Sequence, residues 1–159
     1  MAKNPQKKEK LGPATISNRR AAHDYEFVDT LEAGVVLQVS EVKSIFKGRA
    51  NLTDAYCTIR NGELWMINAD VEPYTHASHF AHDRRRDRKL LMHRKEIDQL
   101  NRKVMEKGFS LIASKMYFKK GRVKVSVSLA RGKKQHDKRE TLKEKDSQRE
   151  LARALSERD

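Results

Sequence analysis

The stretch LIASKMYFKKGRVKVSVSL, residues 111–129, decides the fold. Val123, Val125, Val127 and Leu129 alternate with Lys124, Ser126 and Ser128, the period of two of a strand with one buried and one wet face. Leu111 to Phe118 reads as its partner and Lys120-Gly121 as the turn, so an antiparallel hairpin is expected. A second hairpin lies upstream: Tyr56, Thr58, Arg60, then Asn61-Gly62, then Leu64 to Ala69. Asn-Gly accepts the positive φ that a two-residue turn demands. Between the hairpins Ile97, Leu100 and Val104 stand three and four apart. That spacing predicts one amphipathic helix from His93 to about Lys107, ended by Gly108 and loosely capped by His93 with Glu96.

Toward the N-terminus, Tyr25, Phe27, Val35, Leu37 and Val39 carry the same alternation, with Gly34 expected at a bend or bulge. Ser40 is expected to cap a short helix through SEVKSIFKG (40–48), with Gly48 after its last turn. Many short strands with two interspersed helices predict a mainly β fold with α, a small antiparallel OB-like β-barrel with flanking helices. The expected organisation is a flexible basic arm at 1–17, an RNA-binding barrel at 18–131 and a basic tail at 132–159. In the tail, Thr141-x-x-Glu144 forms a capping box, so the segment is helix-competent. Leu142, Leu151 and Leu155 are too few to dock it on a core, and the free tail is either a solvated helix or a coil that folds along RNA. A helix would place Lys138, Lys145, Arg149 and Arg153 on one side.

Charge indicates the partner. Thirty-five Lys and Arg against 22 acids give +13 and so a strong attraction to polyanions. Basic runs at Asn18-Arg19-Arg20, at 82–89, at 119–122 and at Arg131-Gly132-Lys133-Lys134 fall at turns or segment ends, where loops can converge on a ligand. Arg19, Arg20, Arg88, Lys89 and Lys124 are expected phosphate contacts. Phe27, Trp65 and Phe118 read as core, whereas His23 and His136 stand in basic surroundings and are candidates to stack on bases.

Other chemistries find little footing. Cys57 is the single cysteine, in a predicted strand with no base beside it, which suits an inert thiol in a reducing cytosol. His76, His79 and His82 recur every third residue before Asp83 and could be imagined around zinc in a metal-dependent hydrolase. They follow Pro73 in a loop-like region, where that spacing does not share a face, so no metal or cofactor is expected. No apolar run nears the ~18 residues of a spanning helix, and no signal-peptide core follows the basic start. A cytoplasmic, non-enzymatic, monomeric RNA-binding protein is expected.

The segments NRRAAHDY, EAGVVLQVSEVKS, GRANLTDAY, RKLLMHRKEI and ARGKKQHDKRETLKEKD resemble the small protein B family, the bacterial partners of transfer-messenger RNA in rescuing stalled ribosomes. The match runs from about Thr15 to Arg153. The resemblance implies an OB-like barrel, a tail disordered when free, and binding to the tRNA-like domain of transfer-messenger RNA. It implies that Asn18, Glu32 and Leu91 serve RNA binding and that His23 lies near the decoding region of the small subunit. It implies too that Asp137, Lys138 and Arg139 belong to a tail motif needed for tagging, the tail entering the empty mRNA channel. Glu32 could accept hydrogen bonds from bases or orient a neighbouring Arg; Leu91 could touch RNA or fill the core. Three positions depart from the family pattern: Phe46 replaces an Arg expected to meet phosphate, Arg84 replaces a Pro and loosens its loop, and Ser147 replaces a tail aromatic. The rival reading is a ribosomal or general RNA-binding barrel.

Overall fold

The structure, a computed structural model, is described for residues 12–74 and 81–156. Its elements run β1 (Ile16–Ser17), α1 (Arg19–Asp24), β2 (Tyr25–Val35), α2 (Val39–Phe46), β3 (Ala50–Asn51), β4 (Tyr56–Arg60), β5 (Glu63–Ile67) and β6 (Asp70–Val71). They continue as β7 (Arg88–Leu91), α3 (Arg94–Lys107), β8 (Ser110–Lys119), β9 (Arg122–Gly132) and α4 (Gln135–Ser156). The strands pair antiparallel in the order β8-β4-β5-β7-β2-β9, and β9 pairs back on β8, so the ring closes and leaves no free edge within it. β1 adds to the outside of β8, and β3 with β6 makes a separate two-stranded ribbon.

Both hairpins form where the sequence places them. Asn61 and Gly62 have φ of 51° and 73°, and Lys120 and Gly121 have φ of 50° and 72°, the geometry of type I′ turns. Val125, Val127 and Leu129 are buried with Leu64, Met66, Leu90, Met116 and Leu111 in one core. Ile97 and Leu100 of α3 close on that core, and Gly108 ends the helix in the left-handed conformation at φ 62°.

Several expectations are corrected. Ile16 is buried and pairs with Met116, so the arm stops short of residue 17. NRRAAHD folds into the helix α1 that the apolar pattern did not reveal, because Asn18 caps it. The β2 bulge falls at Val28, between Phe27 and Asp29, and not at Gly34. Ser128 is buried rather than wet, since a bulge in β8 at Ser114 sets their hydroxyls 2.9 Å apart. The cap of α2 is Gln38, whose N–H donates to Glu41 Oε2 at 2.7 Å, and Ser40 and Val39 lie inside the helix.

The tail is helical from Gln135 to Ser156, the helix of the two readings rather than the coil. Thr141 does not cap it; its hydroxyl donates to the Asp137 carbonyl one turn back at 2.8 Å. Leu142, Leu151 and Leu155 are exposed, so helical propensity and surface ion pairs sustain α4 rather than a core.

Candidate nucleic-acid interface

The register of four strands assembles one exposed face. Gly34 in β2 stands opposite Leu91 in β7 on one side and Lys124 in β9 on the other, and Lys124 stands opposite Tyr117 in β8. Leu91, Gly34, Lys124 and Tyr117 therefore form a row across the outside of the barrel. Glu32, two residues before Gly34, shares its face. The sequence-predicted residues Glu32, Leu91 and Lys124 are thus neighbours.

Within this face Leu91 is 53% exposed, which settles its alternative in favour of the surface. A Cβ on Gly34 would sit 3.3 Å from the Leu91 Cβ, so glycine lets Leu91 lean across β2. Glu32 accepts from the Tyr117 hydroxyl at 2.5 Å and from Lys119 Nζ at 3.0 Å. Those two donors, Tyr117 first, hold its carboxyl below the usual carboxylate range, and the same bond raises the Tyr117 phenol. Its partners are a tyrosine and a lysine, so the alternative in which Glu32 orients an Arg is corrected. Tyr117 was missed in the sequence because its cross-strand partner is visible only once the register is known.

A second basic surface surrounds α1. Arg19 is exposed and makes no ion pair among the described residues. Arg20 reaches Asp54 at 3.5 Å and Asp24 at 3.7 Å while staying two-thirds exposed. Asn18 is buried and fully used: its Oδ1 accepts from Ala21 N–H at 2.9 Å, and its Nδ2 donates to the carbonyls of Leu52 at 2.6 Å and Ala113 at 3.3 Å. Direct RNA contact by Asn18 is therefore corrected; it fixes α1 on the barrel and aims Arg19 and Arg20.

Asp24 ties this surface to the tail. Its carboxylate lies 3.0 Å from His23 Nδ1 and 3.4 Å from Lys138 Nζ, and its carbonyl accepts from Lys133 N–H at 3.0 Å. The His23 bond first, and then Lys138, lower its carboxyl. Lys133 Nζ also reaches the Ala22 carbonyl at 3.4 Å, Lys134 is exposed, and Arg131 pairs with Glu26 at 3.1 Å. Lys138, Lys145, Arg149 and Arg153 share the continuous α4, with Asp137 and exposed Arg139 in its first turns; of His136 only the backbone is described.

The arginine-rich run at 82–89 serves the fold more than a ligand. Arg88 is fully buried, with Nε 2.9 Å from Glu41 Oε1 and other donors on the carbonyls of Ala69, Arg86 and Arg84. It cannot meet a phosphate, and that expectation is corrected. Burial would raise the Glu41 carboxyl, yet bonds from Arg86 and the Gln38 N–H with the charges of Arg88 and Arg86 leave it below its ordinary value. Arg84 grips Asp70 through two bonds of 2.8 and 3.0 Å, so it tightens its loop rather than loosening it. Lys89 is paired with Glu63 at the surface.

Phe27 is on the surface, not in the core, because the bulge after it turns this part of β2 outward; Trp65 and Phe118 are half-buried. Burial pushes the Cys57 thiol up to about 12, as an inert cysteine requires. His82 uses both ring nitrogens: Nε2 donates to the Val71 carbonyl at 3.0 Å, and Nδ1 shares a hydrogen bond with the Ser40 hydroxyl at 2.9 Å. His76 and His79 lie outside the described residues. No described helix is long and apolar enough to cross a membrane.

The family model described as SmpB protein matches residues 15–157. An SsrA-binding protein of Syntrophotalea carbinolica is 54% identical over 142 residues, covering 89% of this chain and 95% of the relative. One from Staphylococcus saprophyticus is 47% identical over 150 residues, covering 94% and 97%. A solved structure, "tmRNA-SmpB: a journey to the center of the bacterial ribosome", superposes with a TM-score of 0.65 at 43% identity, covering 76% of this chain and 85% of that one.

Proposed function

The chain belongs to the SmpB protein family, and from that premise we propose that it is a non-enzymatic, cytoplasmic adaptor that binds the tRNA-like domain of transfer-messenger RNA and delivers it to stalled ribosomes. The observation that carries the reading is the convergence of Glu32, Leu91 and Lys124 on one exposed face. A folded RNA is recognised by shape, phosphates and a few exposed groups, and this face offers an apolar ridge, a cation and a fixed carboxylate. Arg19 and Arg20 on α1 supply phosphate contacts beside it. α4 is the arm for the ribosome: it leaves the body at Lys138 and carries its one-sided basic stripe toward the empty mRNA channel and the decoding region.

The test is to recover and sequence the RNA bound to the protein in cells, then to compare affinities at moderate salt. One tRNA-like species should dominate; equal binding of unrelated RNAs would instead favour a general RNA-binding barrel. Replacing Arg19 and Arg20 with Ala should weaken binding and flatten the slope of log affinity against log salt by about one to two, because each phosphate contact releases about 0.9 of a counterion. An unchanged slope would mean that α1 does not touch the backbone.

A further inference from the structure

Phe46 ends α2 at the rim of the barrel, where its ring meets that of Phe118 edge to face at 5.6 Å and an interplanar angle of 80°. Packing against Phe118 explains part of its burial but leaves it 49% exposed. Phe118 is the residue between Tyr117 and Lys119, the two donors that hold Glu32. By strand alternation Phe118 turns to the other side of β8 and packs against the core, so the aromatic pair caps the barrel's end beside the outer face. On α2, Lys43 and Lys47 are exposed one turn apart and stand 5.3 and 5.0 Å from the Tyr74 ring. Two exposed cations thus share α2 with the half-exposed Phe46 ring, one turn before it and one residue after it.

We infer that Phe46, backed by Phe118 and flanked by Lys43 and Lys47, forms a stacking site for one unpaired nucleobase of the RNA held on the adjacent face. This rests on the RNA-binding reading above and adds a contact to it. A phenyl ring offers a base its π face without reading its edge, and lysines beside it suit the phosphates on either side of the base. The T-shaped contact fixes the angle of the ring before RNA arrives, so little side-chain freedom is lost on stacking. The site takes a base rather than a further phosphate, since Phe46 has no donor. Its selectivity is for a nucleotide free to leave its helix, as in a loop or bulge.

The experiment uses the full-length chain with Phe46→Leu and Phe46→Trp, and titrates a tRNA-like RNA at several salt concentrations. Leucine keeps an apolar cap on Phe118 and loses the ring; tryptophan keeps and enlarges it. Phe46→Leu should bind about tenfold more weakly, within the range for one stacked base, with the salt slope unchanged. Phe46→Trp should bind at least as tightly as the wild type, and its added fluorescence should be quenched by RNA. Lys47→Ala should instead lower the slope by about 0.7 to 0.9. Equal affinities of the leucine, tryptophan and wild-type chains would overturn the site, as would tryptophan emission indifferent to RNA, a readout that survives if leucine weakens the fold. If the wild type shows no preference for tRNA-like RNA, it is the parent reading that fails, whatever Phe46 does.

Discussion

At the scale of single residues, the exposed face depends on one missing side chain. Gly34 has no positive φ, so Ala fits its backbone, and a glycine inside a strand is ordinarily a liability of about 0.5–1 kcal/mol relative to Ala. What alanine disturbs is Leu91, whose Cβ would lie 3.3 Å from the new methyl. Leu91 is exposed and can give by a few tenths of an ångström, so the fold survives while the ridge moves. Gly34→Ala should therefore keep or raise the melting temperature and weaken RNA binding by about fourfold, the worth of about one methylene of contact, ~0.8 kcal/mol. Thermal unfolding and a binding titration on the same sample check this, and a parallel loss of both would show that Gly34 serves packing alone. Asn18 and Arg88 teach the complementary lesson. The family resemblance placed Asn18, and its basic run placed Arg88, at the RNA, yet both are buried and hydrogen-bonded throughout. Local sequence shows the chemistry of a side chain but not whether a carbonyl or carboxylate distant in the chain has already claimed it.

At the scale of elements, legibility followed periodicity. β8 with β9, β4 with β5, and α3 were readable because apolar residues recur at two or at three and four, and because Asn61-Gly62 and Lys120-Gly121 mark turns. α1 was hidden, for Arg19 to Asp24 buries only Ala21 and so carries no apolar stripe. α4 was half-legible: the tail reads as helix-competent, yet its capping box at Thr141 and Glu144 does not mark the start, which is Gln135. That start matters because the first turn is where α4 meets the body, through Lys138 and Asp24. A surface pair of this kind is weak, enough to bias direction and too little to hold the tail against a stronger ligand. Truncation after Lys134 should accordingly leave affinity for tRNA-like RNA within about threefold, a change of less than 1 kcal/mol, while abolishing rescue of stalled ribosomes. A filter-binding assay beside an in vitro rescue assay checks both halves. A large loss of affinity would place part of the RNA site on α4.

At the scale of the whole molecule, the barrel is unevenly sewn. β2 and β9 share a long register, whereas β7 joins β2 through Gly34–Leu91, Val35–Leu90 and the Val36 N–H donating to the Lys89 carbonyl, and β4 meets β8 through Cys57–Leu111. The β7 seam carries Leu91 into the RNA face, so something beyond ladder bonds must hold it. Fully buried Glu41 on α2 binds both Arg88, the first residue of β7, and Arg86 in the preceding loop. This ties the helix that closes the barrel to the strand at its short β2–β7 seam. Glu41→Gln would leave two guanidinium groups short of a counter-charge, one of them fully buried, and breaking a buried pair in this way costs about 3–5 kcal/mol. The sign of the pH dependence follows from the lowered Glu41 carboxyl. Its stabilisation is fully present above the pKa of an unfolded glutamate and disappears as acid carries the pH down through the folded value. Wild-type stability should thus fall on acidification below about pH 4, where an unperturbed glutamate titrates. In Glu41→Gln this part of the acid dependence should be missing from a baseline that is already lower. Urea unfolding from pH 7 to pH 3 measures both effects. Parallel stability profiles for the two proteins would mean that Glu41 does not hold the seam.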